Sequence, residues 1–181
     1  MNPTDTTADR VKAQIAAAFS KRAYPDDGKV VVDATGFDPE SNALGAAFSG
    51  QRWTDVPATQ VRSFKDALPL FTPAAFAYFL PAYLLACLEA PEEVDTAFDS
   101  VIFALTPPAT RKGWQWRFFK DRITLFDRAQ AEAVAAFLDL AAQREIEEWA
   151  REGKRPPPDR IGRARSYWTG VATETRKGNR K

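Results

Sequence analysis

Apolar residues recur at helical spacing through most of the chain. Val11, Ile15, Ala18 and Phe19 fall at i, i+4, i+7 and i+8, one face of a helix that Thr4 or Asp5 can cap. It must end before Tyr24-Pro25, because the residue before a proline avoids helical dihedrals. Asp26-Asp27-Gly28 reads as a turn. Lys29-Val30-Val31-Val32-Asp33 is β-branched, lies between turn residues and predicts a short strand closed by Thr35-Gly36. Asp38-Pro39-Glu40 opens a helix with the apolar stripe Leu44, Ala47 and Phe48 and a stop at Gly50. Asp55-Val56-Pro57 opens another, through Val61, Phe64 and Leu68.

From Ala67 to Leu88 no residue is charged. Thr72-Pro73 caps and opens a helix there, and Pro81 removes the bond to the carbonyl of Ala77 and kinks it. A helix from Pro73 to Ala90 rises about 27 Å at about 1.5 Å per residue, short for a membrane span. Pro81, Tyr78 and Tyr83 sit near its middle and no basic anchor follows it, so we read it as a buried core helix.

Farther on, Asp95–Leu105 fits a short helix after an Asp99 cap or a strand. Trp114-Gln115-Trp116-Arg117-Phe118 alternates and weakly favours a strand. Asp127-Arg128-Ala129-Gln130 has capping-box spacing. It starts the clearest helix, with Val134, Phe137, Leu138, Ala141 and Ala142 on one stripe, extending to Ile146 and Trp149 and stopping at Gly153. Pro156-Pro157-Pro158 is a stiff break.

The expected fold is mainly α: one compact helical domain over residues 1–153, with room for one small strand or hairpin pairing Lys29–Asp33 with Val101–Leu105 or Trp114–Phe118. An extended, flexible basic tail is expected over residues 154–181.

Charge sharpens that division. The whole chain of 181 residues has a formal net charge of +1. Residues 1–150 hold 15 basic and 21 acidic residues, whereas residues 151–181 hold 10 and 3. The expected picture is an acidic core, able to face a basic partner, with a basic tail. Arg160, Arg163, Arg165, Tyr167 and Trp168 interleave basic and aromatic side chains, a pattern that can grip single-stranded nucleic acid. The alternatives are a solvated tail and a segment docking its tryptophan on the core. The N-terminus, polar with Asp5 and Asp9, lacks the basic start and apolar stretch of a secretory signal, so the expected location is the cytoplasm.

Composition removes much chemistry. With no histidine there is no imidazole base, and one cysteine, Cys87, forms neither an internal disulfide nor a thiolate cluster. Cys87 lies in the apolar helix and reads as core. Gly45 and Gly50 have phosphate-loop spacing, but Gln51-Arg52 follows and the setting is helical. Asp26, Asp27 and Asp33 lack a calcium-loop pattern. Glu145, Glu147 and Glu148 read as a solvated face, with Arg144–Glu148 and Glu147–Arg151 pairs. Trp53, Trp114, Trp116 and Trp149 read mainly as packing. No cofactor or metal is expected.

The segment Leu70-Phe71-Thr72-Pro73-Ala74-Ala75-Phe76-Ala77-Tyr78-Phe79-Leu80-Pro81-Ala82-Tyr83-Leu84 resembles the signature of a family of small uncharacterised bacterial proteins, approximately L-T-P-x-A-F-x-Y-x-L-P-A-Y-L. Phe71 stands where members have leucine. The resemblance runs from about Ala8 to Ala142 and leaves the basic tail outside. It implies a domain of unknown function and supplies no catalytic residues; immunity or accessory roles come with it by association only.

The leading expectation is a non-enzymatic protein-interaction domain. The alternatives are nucleic-acid association through the tail, and a small-molecule enzyme using carboxylates or tyrosines in a cleft of Asp26, Trp53, Tyr78 and Tyr83.

Overall fold

The computed structural model describes residues 3–26, 29–94, 96–154 and 159–178, with side chains from residue 6 to 173 within those ranges. Pro156–Pro158, Asp27, Gly28 and Asp95 lie outside them, so the triple-proline break and part of the Asp26–Gly28 turn are not described. Among the described residues the chain forms α1 (Pro3–Phe19), α2 (Pro39–Phe48), α3 (Ala58–Ser63), α4 (Pro73–Glu89), α5 (Pro91–Val94), α6 (Ala97–Leu105), α7 (Gly113–Ile123), α8 (Arg128–Arg151) and α9 (Gly162–Gly178). Single 3-10 turns cover Trp53–Asp55 and Leu68–Leu70.

The centre is α4. Every residue from Ala75 to Leu88 is buried except Leu85, which is partly so. A helix with no polar face must be covered all round. The α1, α3, α6 and α7 helices and the Trp53 turn pack on it, and α8 lies along α1. Thr72 starts α4 as expected, its hydroxyl oxygen accepting from the Ala75 amide at 3.2 Å while donating to the Lys29 carbonyl. No helix among the described residues is long and apolar enough to cross a membrane.

Local signals place the other helices. Asp38 caps α2 through the amides of Glu40 and Ser41. The Tyr24 hydroxyl donates to the Phe48 carbonyl at 3.2 Å and accepts from the Gly50 amide at 2.7 Å, tying off the α2 C-terminus. Gly50, at φ +72°, turns the chain away. The Asp127–Gln130 capping box is complete. Gln130 also accepts from Arg22 and donates to the Ala18 carbonyl, fixing the α8 start against the end of α1. The α1 helix begins at Pro3, ahead of both expected caps.

Three expectations need correction. Lys29–Asp33 is not a strand; only a bridge between Val31 and Phe71 forms, through Val32 N to Leu70 O at 2.8 Å and Thr72 N to Val30 O at 3.0 Å. The partner segment is committed on both sides: the Leu70 amide donates to the Ala67 carbonyl at 2.8 Å in the 3-10 turn, and the Thr72 carbonyl accepts from the Phe76 amide at 2.8 Å as α4 begins, so the ladder does not extend. Val101–Leu105 and Trp114–Phe118, the proposed strand partners, are helical. In α7 the stripe Trp116, Phe119 and Ile123 faces inward at helical spacing, and over eleven residues it outweighs five residues of alternation.

The third concerns the tail. From Gly162 the chain is helix, not an extended arm, and it packs on α8 more extensively than any other helix pair does. Ile161, Ala164, Trp168 and Ala172, at i, i+3, i+7 and i+11, are all buried. Trp168 is 0% exposed, packs edge-on against Phe126, and donates its indole N–H to the Leu105 carbonyl at 2.9 Å. That carbonyl belongs to the last turn of α6, which lacks intrahelical donors. The segment is too poor in apolar residues to form a core alone, but rich enough to complete one.

Trp168→Ala therefore removes a full core side chain and orphans a helix-end carbonyl. The expected loss is about 3–5 kcal/mol in urea denaturation, against at most about 0.5 kcal/mol for exposed Arg163→Ala. Equal, small effects at both positions would contradict a docked α9.

Candidate functional site

The residues singled out from sequence fall in different places. Tyr83 is buried and donates to the Phe64 carbonyl at 2.9 Å, and burial raises its phenol pKa. Tyr78 is buried edge-on against Tyr24 and Phe79. Trp53 is buried in its turn beside α4. Asp26 is exposed and pairs with Lys29 at 2.8 Å, which holds its carboxyl below the usual range. None of the four lines either surface groove described below.

The five tail residues are largely committed internally. Arg160 bridges Asp99 and Glu145 at 2.5 and 2.7 Å, and Arg165 holds Asp139 at 2.9 Å. Tyr167 packs edge-on against Phe119 and Trp116 of α7. With Trp168 buried, Arg160 and Arg163 are the exposed members of the set, and Arg160 is already held by two carboxylates.

A groove of about 830 Å³ lies between α8, the α4–α5 junction and Arg160, with Leu88, Phe98 and Trp149 among its lining residues. The Glu145–Arg160 pair spans part of it, and Gln143 donates to Glu147 at 2.8 Å. These contacts replace the expected Arg144–Glu148 and Glu147–Arg151 pairs. Cys87 lines the groove but is almost wholly buried, and burial pushes its thiol up to about 12. A thiol so raised is not a nucleophile at neutral pH. A second groove of about 480 Å³ joins Arg22, Tyr24, Asp127 and Gln130. Several of its polar groups already serve the α8 cap and the α2 end.

The surface that stands out is the outer face of α7. No basic residue occurs from Asp66 to Thr110; then Arg111, Lys112, Arg117, Lys120 and Arg122 follow with Asp121 as the one acid among them. The charge division at residue 150 is therefore too coarse. A second basic segment lies within the region expected to be acidic, and its helix packs against α9 through Tyr167. Trp114 is 68% exposed, Phe118 38% and Leu125 39%. Arg117 and Asp121, both exposed, fall with Trp114 and Phe118 at i, i+3, i+4 and i+7 on one side, and Leu125 follows in the turn after the helix ends. Of the four core-domain tryptophans, Trp53 is buried and Trp116 and Trp149 are partly so, while Trp114 faces solvent.

Arg122 holds this face in place. Its side chain points inward and donates to the carbonyls of Pro69 at 3.0 Å, Phe71 at 2.8 Å and Phe118 at 3.1 Å. Its guanidinium carbon lies 3.5 Å from the centre of the Phe118 ring. Burial lowers its pKa to about 10, which leaves it charged at neutral pH. Its Nε has no hydrogen-bond partner. Reading residues 114–118 as a strand placed both tryptophans and Phe118 on one side and hid this face. The continuing stripe Trp116, Phe119 and Ile123 was the signal that reveals it.

Residues 7–172 match the family described as "Family of unknown function (DUF6714)". The match runs through Trp168, so the first turns of α9 lie inside the shared region, not beyond it. No curated protein and no solved structure matches the chain.

Two measurements check these placements. Arg122→Leu orphans the Pro69 and Phe71 carbonyls, and at about 1 kcal/mol or more each it should cost at least about 2 kcal/mol in urea denaturation. A neutral result would contradict the anchoring role. The unfolded Cys87 thiol titrates near 9.0 and the folded one near 12, so the unfolded chain loses its proton first as pH rises. Its contribution to stability is full below pH 9 and is lost between pH 9 and about 12. Cys87→Ala should flatten that alkaline fall, and the native thiol should resist a disulfide reagent at pH 8. Rapid native labelling would contradict the burial.

Proposed function

The chain belongs to this family of unknown function, and on that premise we propose that it is a non-enzymatic protein-interaction domain whose contact surface is the outer face of α7. The supporting observation is Trp114, an exposed tryptophan on a helix whose opposite side packs on the core. Leaving so large an apolar ring in water forgoes burial energy that a core position would supply. Tryptophan and arginine dominate the binding energy of protein interfaces, and here Trp114 sits one turn from Arg117 and Phe118. The face is also held rigid by Arg122 beneath it, so little ordering entropy is lost on docking.

Tail-mediated nucleic-acid binding has less support, because Arg160 and Arg165 hold carboxylates and Trp168 is buried. A photo-crosslinking amino acid at Lys120, at the rim of this face, compared with one at Arg163, tests the reading in native lysate. The expected result is a specific adduct at Lys120, reconstituted as a binary complex that weakens at least about tenfold with Trp114→Ala. Adducts of equal yield at both sites, or a complex insensitive to Trp114→Ala, would overturn it.

A further inference from the structure

The outer face of α7 is self-complementary, and we propose that its partner is a second copy of this chain, joined about a two-fold axis with the two α7 helices antiparallel. This rests on the interaction reading above and names its occupant. The stripe carries one cation and one anion, Arg117 and Asp121, a single turn apart, with Phe118 between them, Trp114 at one end and Leu125 in the turn just past the other. No ion pair joins Arg117 to Asp121 among the described residues. An axis level with residue 119 sets Arg117 of each copy against Asp121 of the other. The same axis brings the two Phe118 rings together at the centre and lays each Trp114 over Leu125 of the second copy. A two-fold interface requires this reciprocity, in which i meets j and j meets i.

The mixed charge selects this occupant over a polyanion. A nucleic acid or an anionic bilayer gains from Arg117 but is repelled by Asp121 in the middle of the same face; a second copy pairs both. Lys120 lies about a quarter turn off the stripe, at the rim, where like charges are screened by solvent. A single helix face is near the small end of stable interfaces, about 1,200 Å² in total, so the expected Kd is on the order of micromolar.

Analytical ultracentrifugation of the full chain across that range tests the proposal. The wild type should pass from monomer to dimer. Trp114→Ala, Arg117→Asp and Asp121→Arg should each weaken dimerisation at least about tenfold, and the double swap R117D/D121R should return it to near the wild-type value. All these positions are exposed, and circular dichroism should show the fold unchanged. A monomer at all concentrations would overturn the proposal, as would a dimer indifferent to the single swaps or a double swap without rescue. A monomer that binds a single-stranded oligonucleotide or phosphatidylglycerol vesicles through Trp114 would also overturn it and give the face to an anion. A monomer that still forms a Trp114-dependent complex with a crosslinked protein would overturn self-association while leaving the interaction reading standing. Loss of that complex as well would remove both.

Discussion

An apolar helix without a polar side dictates this architecture. The α4 helix is buried almost throughout, so its stability depends on neighbours arriving from every direction. Pro81 takes one hydrogen-bond donor out of its interior, and a chain of aromatic contacts surrounds it: Phe71 and Phe79 stack, and Phe48 meets both edge-on. Each helix that covers α4 brings a second side that must itself be covered or face water. The α1 and α8 helices cover each other. Along α8 the remaining apolar stripe is closed by α9, whose Trp168 reaches across to the end of α6. The last helix is thus the final layer of a core that starts at α4.

The same logic explains why α7 draws attention. Its inner stripe is satisfied by α4 and α9, and Arg122 anchors it to the carbonyls just before α4. Its outer stripe has no such partner among the described residues. Aromatic residues that a core would accept stand in solvent beside a cation and an anion. Phe103 of α6 also stands in solvent, but α7 gathers two exposed rings on one side beside a cation and an anion, which is what a recognition role would require.

Much of the fold was legible in the residues. Thr72-Pro73, Asp38-Pro39 and Asp127…Gln130 carry their caps in the sequence, and all three act as caps. The uncharged run around Pro81 reads directly as the core helix. The failures have a common cause. The content of a short segment does not fix its state; a neighbour does. Val30–Val32 has strand propensity, but the segment it meets is held between a 3-10 turn and the start of α4, which take the groups a ladder would need. Trp114–Phe118 alternates over five residues, but Phe119 and Ile123 continue a helical stripe. Residues 161–172 cannot form a core alone, yet Ile161, Ala164, Trp168 and Ala172 make one side of a helix that joins an existing one. The surroundings of Asp26 and Tyr83 were not legible in the same way: Tyr83 donates its hydroxyl to the Phe64 carbonyl and Asp26 pairs with Lys29, contacts that the spacing of these residues does not announce.

The C-terminal segment belongs to the core. Hydrogen–deuterium exchange of the full chain, read at the amides of Ala164–Ala172, tests it most directly. Slow exchange, comparable with the middle of α8, is the predicted result. Exchange within seconds, as in an unstructured arm, would contradict it.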